Sequence, residues 1–97
     1  MSAYMLLCNY TDQGIKNIKE APNRRAAARG LGQKFGVDIK AGYLAIGPYD
    51  LVIHVEAPND EALATFLLSL GSRGNVRTTT LKVFPEAEFD KIVGKVA

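Results

Sequence analysis

Two hydrophobic periods alternate along this 97-residue chain, one of strand type and one of helix type. Ala3–Tyr10 (AYMLLCNY) is an apolar, aromatic-rich run of strand length. Thr11 and Asp12 then offer a hydroxyl and a carboxylate to cap a turn of helix carrying Ile15 and Ile18. Pro22 has no N–H to donate, so it reads as a break followed by a fresh helix start. That helix, predicted over Asn23–Phe35, puts Ala28, Leu31 and Phe35 on one face and stops at Gly36. Val37–Ile46 and Leu51–Glu56 are strand-like runs joined by Gly47-Pro48-Tyr49-Asp50, where Pro48 presets a turn angle. Asn59 is an N-cap for a helix whose Leu63, Phe66, Leu67 and Leu70 recur at i, i+3, i+4 and i+7, with Gly71 at its end. Asn75–Phe84 is β-branched and predicts a fourth strand. Pro85 opens a short terminal helix bearing Phe89, Ile92, Val93 and Val96.

The order β-α-β-β-α-β plus a helix predicts an α+β ferredoxin-like sandwich, one domain over residues 1–97. Its sheet order is 4-1-3-2, with both long helices on one face and nothing from this chain on the other. Half-exposed strands normally alternate apolar and polar residues. The first strand does not, because Tyr4, Leu6 and Cys8 point one way while Met5 and Leu7 point the other. An apolar second face is unusual for a soluble monomer. A homodimer or higher oligomer, pairing through the sheets and enclosing a ligand space between them, is therefore expected. Parity assigns Leu51, Ile53, Val55, Leu44, Ile46, Leu81 and Val83 to the helix side. It leaves Tyr43, Val52, His54, Glu56, Thr78, Thr80 and Lys82 for the open face, with Met5 or Asn9.

Composition narrows the classes. Hydrophobic residues make up 47% and charged residues 23%, which excludes a disordered chain. No apolar run reaches the length of a membrane helix, and Met1–Tyr4 carries no basic leader, so a cytoplasmic protein without a membrane role is expected. The net charge of +2 hides a stretch from Lys16 to Lys40 that sums to +5. No aromatic side chains interleave with its arginines, so it reads as a solvated helix face and no nucleic-acid partner is expected.

Candidate chemistry is sparse. His54 is the only histidine and the natural general acid or base, with a satisfied core histidine as its plain alternative. Glu56, two residues on along the same strand, is placed to orient it. Tyr49 and Asp50 sit at the hairpin, where Asp50 either bonds backbone N–H groups or binds a ligand at the rim. Tyr43, Thr78 and Thr80 are candidate ligand contacts, each also explicable by packing or β-propensity. Cys8, lone and mid-strand, reads as a small hydrophobe. One His and one Cys exclude a Cys/His-only zinc site of four ligands, leaving a site shared across a dimer through His54 and Glu56 as the alternative to the expectation of no metal and no cofactor. The glycines of Gly30–Gly36 end a helix before a strand, whereas a phosphate-binding turn follows a strand and opens a helix.

Four stretches in order carry a resemblance across nearly the whole chain: Tyr10–Lys16 (YTDQGIK), Gly47–Asp50 (GPYD), Val55–Pro58 (VEAP) and Gly74–Thr80 (GNVRTTT). They resemble the GYD family of bacterial proteins, whose Gly-x-Tyr-Asp turn has Pro48 in its variable place here. The resemblance implies a member of the dimeric α/β-barrel superfamily and no particular activity. Gly47, Tyr49 and Asp50 followed by Gly74, Val76 and Thr78–Thr80 also look like the effector-binding domain of AsnC-type regulators, without their helix-turn-helix. Two function classes follow. One is a homo-oligomeric small-molecule-binding module with the ligand between facing sheets. The other is a cofactor-independent monooxygenase or isomerase, in which His54 is the base and Tyr43 and Asp50 orient the substrate.

Overall fold

Strand β1, Ser2–Tyr10, runs through the middle of a four-stranded antiparallel sheet in the computed structural model, which describes residues 1–97. Its neighbours are β3 (Leu51–Ala57) on one side and β4 (Val76–Val83) on the other, and β2 (Asp38–Leu44) pairs with β3 at the edge. The order β2-β3-β1-β4 is the predicted one, read from the opposite edge.

The helical segments follow local signals. Thr11 caps α1 (Asp12–Lys16) by accepting the Gly14 N–H, and a single 3-10 turn at Ile18–Glu20 leads into α2 (Ala21–Lys34). Pro22 lies inside the first turn of α2, where its missing N–H removes no helical bond, so the helix starts before the proline rather than after it. Gly36 supplies the left-handed stop at φ 72°. Asn59 caps α3 (Asp60–Gly71) by accepting the Ala62 N–H at 2.8 Å. The last helix, α4 (Glu86–Val93), follows Pro85 and buries none of its residues.

The core forms on one side of the sheet. Tyr4, Leu6, Cys8 and Val55 stand under Leu31 of α2 and Leu63 and Phe66 of α3, all essentially inaccessible. Only 12 of 97 residues are buried, so two helices and one sheet face account for nearly all of the core and the second sheet face contributes almost nothing to it.

The β1–β4 register corrects one expectation. Leu6 pairs with Thr80, Cys8 with Thr78 and Tyr4 with Lys82, which puts Thr78, Thr80 and Lys82 on the helix side. Leu81 pairs with Met5 and Val83 with Ala3, so these aliphatics belong to the open face. Parity fails at this strand because it gives every aliphatic to the helices, although the sheet is apolar on both faces. Leu44 pairs with Leu51, as expected for the helix side, yet it is 78% exposed, and Ile46 beyond it is fully exposed. The helices do not reach that corner of the edge strand.

Three of the four sequence blocks meet at the end of β1. The Asp50 carboxylate accepts the Tyr10 N–H at 2.9 Å, and the Asp50 N–H bonds the Cys8 carbonyl. Thr11 donates its N–H to the Asn75 carbonyl and its hydroxyl to that of Gly74. Gln13 adds side-chain bonds to the Arg73 carbonyl and to Asn75 Oδ1. A Cβ built on Gly14 would fall 2.0 Å from the Asn75 oxygen, so this junction closes only on a glycine. The GPYD turn and the GNV segment are thus clamps on β1 and α1.

Candidate functional site

The uncovered sheet face is built by cross-strand register. On it Met5 of β1 lies between His54 of β3 and Leu81 of β4, and Leu7 lies between Val52 and Thr79. On the edge strand Ala41 pairs with His54 and Tyr43 with Val52, which makes Tyr43 and His54 diagonal neighbours. At that separation an aromatic side chain reaches its diagonal partner. An irregularity between Ile39 and Ala41 inserts Lys40 and sets this phase, since without it Tyr43 would face the helices.

Met5, Tyr43, His54, Val83 and Phe84 border a solvent-open depression of about 360 Å³. Its walls are mostly hydrocarbon, and the imidazole and the phenol are its polar side chains. Tyr43 is 61% exposed and His54 half-buried. Such a wall can hold an apolar body and give it one or two hydrogen bonds.

Glu56 shares this face but does not orient His54. Its carboxylate sits 3.8 Å from Lys40 Nζ, and the same ammonium lies 2.9 Å from Asp38. Asp38 and then Glu56 hold the Lys40 ammonium above its ordinary range. The remaining candidates are dispersed. Asp50 precedes His54 by four residues of extended chain, roughly 13 Å, and one of its oxygens is engaged by Tyr10. Tyr49 is half-buried in the hairpin loop beside it. Thr78 and Thr80 are half-buried beneath the helices. Of the seven residues singled out, only Tyr43 and His54 border one depression.

Cys8 is fully buried, and burial alone pushes its thiol up to about 11, far from a thiolate nucleophile at neutral pH. Residues not singled out complete the open face: Leu81 (48% exposed) and Phe84 (55%). Only the β1–β4 register reveals the first of them. No helix is long and apolar enough to cross a membrane.

Known proteins share this architecture. The feast or famine regulatory protein of M. tuberculosis, solved with L-methionine, superimposes with a TM-score of 0.67 at 18% identity, covering 88% of this chain and 51% of that one. The chain therefore spans about half the length of that regulator, and the likeness is one of fold, a ferredoxin-like α+β sandwich. A crystal structure of a Thermus thermophilus protein matches 88% of this chain and 95% of its own with a TM-score of 0.56 and 25% identity. In sequence, the glutamine synthetase and cystathionine beta-lyase binding protein of Thermus thermophilus is 37% identical over 89 residues, 91% of this chain and 94% of that protein. The GYD domain model matches residues 4–93, nearly the full length, and with that relative it shows that the chain belongs to the GYD domain family.

Proposed function

We propose that this protein is a homo-oligomeric, non-catalytic binding module. In this reading two copies bring their uncovered sheet faces together and hold a small ligand in the space between, against Tyr43 and His54. The observation that carries it is the apolar second face. Met5, Leu7, Val52, Leu81 and Val83 form one surface with nothing of this chain across it. Met5, Leu7, Val52 and Val83 are already half-buried and Leu81 is 48% exposed, so pairing two copies adds for each aliphatic a fraction of the ~1.5–3 kcal/mol of full burial, set against an estimated 4–15 kcal/mol cost of association. Phe89, Ile92 and Val93 of α4 are also about half exposed. Sedimentation equilibrium of the full chain is the test, with a dimer or larger particle expected at micromolar concentration. A monomer there would overturn the reading.

A docking role toward an enzyme is favoured by the Thermus thermophilus relative, whose name records binding of glutamine synthetase and cystathionine beta-lyase. This chain then presents the outer surface of its oligomer to a metabolic enzyme. Co-sedimentation with purified glutamine synthetase tests it, and separate boundaries at micromolar concentrations would remove it. The catalytic alternative has less support, because Glu56 is paired with Lys40 and Asp50 is remote from His54.

A further inference from the structure

A second cavity lies on the opposite side of the sheet, under α2. Ala21, Ala27 and Ala28 of the helix face Cys8, Leu51 and Ile53 of the strands, and these short side chains leave about 140 Å³ unfilled. An apolar cavity of ~150 Å³ is enough to hold a benzene molecule. Here the hydrocarbon slot is bordered by three guanidinium groups, Arg24, Arg25 and Arg73, and by no carboxylate.

The arginines come from separate segments and have different duties. Arg24 is fixed, donating from Nη1 to the Asn17 carbonyl and from Nη2 to that of Gly14, both at 3.1 Å, with its plane 6.0 Å from the Tyr10 ring. Arg25 and Arg73 are exposed, one on α2 and the other after α3, and so stand at the solvent end of the slot. Every salt bridge in the molecule uses a lysine, which leaves the guanidinium charges at this mouth without an internal counter-ion. Tyr10 and Asn75 also line the slot and are held by the Asp50, Thr11 and Gln13 bonds, so it has a built frame rather than a loose gap.

We infer that this slot binds a small monocarboxylate with a ring-sized apolar body, the body packed between Ala28 and Ile53 and the carboxylate met by Arg25 and Arg73. An apolar cavity of this size selects one ring or a short branched chain. Guanidinium groups select a carboxylate over a neutral group by charge-assisted hydrogen bonding. The site is on the other face of the sheet from Tyr43 and His54, so it stands or falls independently of the reading given above.

Titration calorimetry of the full chain with phenylacetate, and with neutral phenylacetamide as control, is the test. The acid is expected to saturate and the amide to bind about tenfold more weakly or worse. Arg25→Gln with Arg73→Gln, both exposed changes that leave the core intact, should weaken phenylacetate by about tenfold or more. Ala28→Leu should fill the slot and remove binding of acid and amide alike. No saturation by about 10 mM, a range weaker than ordinary ligand sites, would overturn the inference. So would equal affinity for acid and amide, or unchanged affinity in the arginine double variant. If Ala28→Leu does not fold, the arginine variant and the amide control decide the matter.

Discussion

The carboxylate of Asp50 accepts the backbone N–H of Tyr10 at 2.9 Å, joining the β2–β3 connection to the end of a strand forty residues earlier. The Asp50 N–H returns to the Cys8 carbonyl and its own carbonyl accepts from Ala45, so one residue closes the hairpin and attaches it to the sheet. Asp50→Ala leaves the half-buried Tyr10 N–H without its acceptor and should cost about 1–3 kcal/mol. Asp50→Asn, which retains an acceptor oxygen, should cost less. Urea denaturation measures both, and equal stability of Asp50→Ala and the parent would refute a clamping role.

Gly14 sits where α1 meets β4. A methyl group there would overlap the Asn75 carbonyl, and backbone rather than a flexible side chain has to give way. Gly14→Ala is expected to destabilise by about 1–3 kcal/mol or more through overpacking. Gly30→Ala, at a helical position with open space around it, should instead stabilise slightly, by roughly 0.5–1 kcal/mol. The pair of melting curves separates steric closure from a general effect of losing glycine.

Acid should weaken the fold through Asp60. The Tyr4 hydroxyl donates to its carboxylate, and Lys82 Nζ lies 3.0 Å away. The Tyr4 bond first and the Lys82 bond second hold this carboxyl below its ordinary range. Because the folded value is the lower one, the stabilisation is complete above the unfolded carboxylate value of about 4. It is lost as pH falls through the folded value, since the unfolded chain takes up the proton first. The urea midpoint of the parent should therefore fall more steeply below about pH 4 than that of Asp60→Asn. Parallel curves would show that the contact has no pH linkage.

Alkali should act through Cys8. Its thiol is pushed up to about 11 by burial, so the folded state holds its proton after the unfolded state has lost it. This stabilising term is full below the ordinary thiol value of about 8.5 and is lost as pH rises toward 11. Alkylation by iodoacetamide at mildly alkaline pH is expected to follow unfolding rather than precede it. Stoichiometric labelling of the native chain, faster than its unfolding, would contradict the burial.

Leu81 tests the shared face. It is 48% exposed in one copy and opposite Met5. In a two-fold interface each substitution counts twice, and about half of each Leu81 is left to bury, so Leu81→Lys removes roughly 1.5–3 kcal/mol of association free energy. The oligomer should dissociate while the denaturation midpoint of the subunit's helix-side core persists. An unchanged particle mass in Leu81→Lys would place the interface elsewhere.

The β-α-β-β-α-β order implied the sheet order, and residues next to one another in the chain determined the element list, the caps at Thr11 and Asn59, the left-handed stop at Gly36 and the hairpin. Such features rest on contacts within a turn or two, and the periods of 3.6 and 2 survive folding intact. Parity alone gives Tyr43 and His54 to the open face, while the β2–β3 register with its irregularity at Lys40 is what makes them diagonal neighbours. Tertiary structure alone decided the phase of β4, where Thr78 and Thr80 go beneath the helices and Leu81 and Val83 go outward. β4 carries threonines on both faces and belongs to a sheet that is apolar on both, so nothing local marks its phase, and only pairing to β1 fixes it. It also decided that Glu56 turns to Lys40, that Asp50 clamps Tyr10, and that Arg24, Arg25 and Arg73 from distant segments border one apolar slot. Those relationships join residues far apart in the sequence, and no spacing along the chain encodes them.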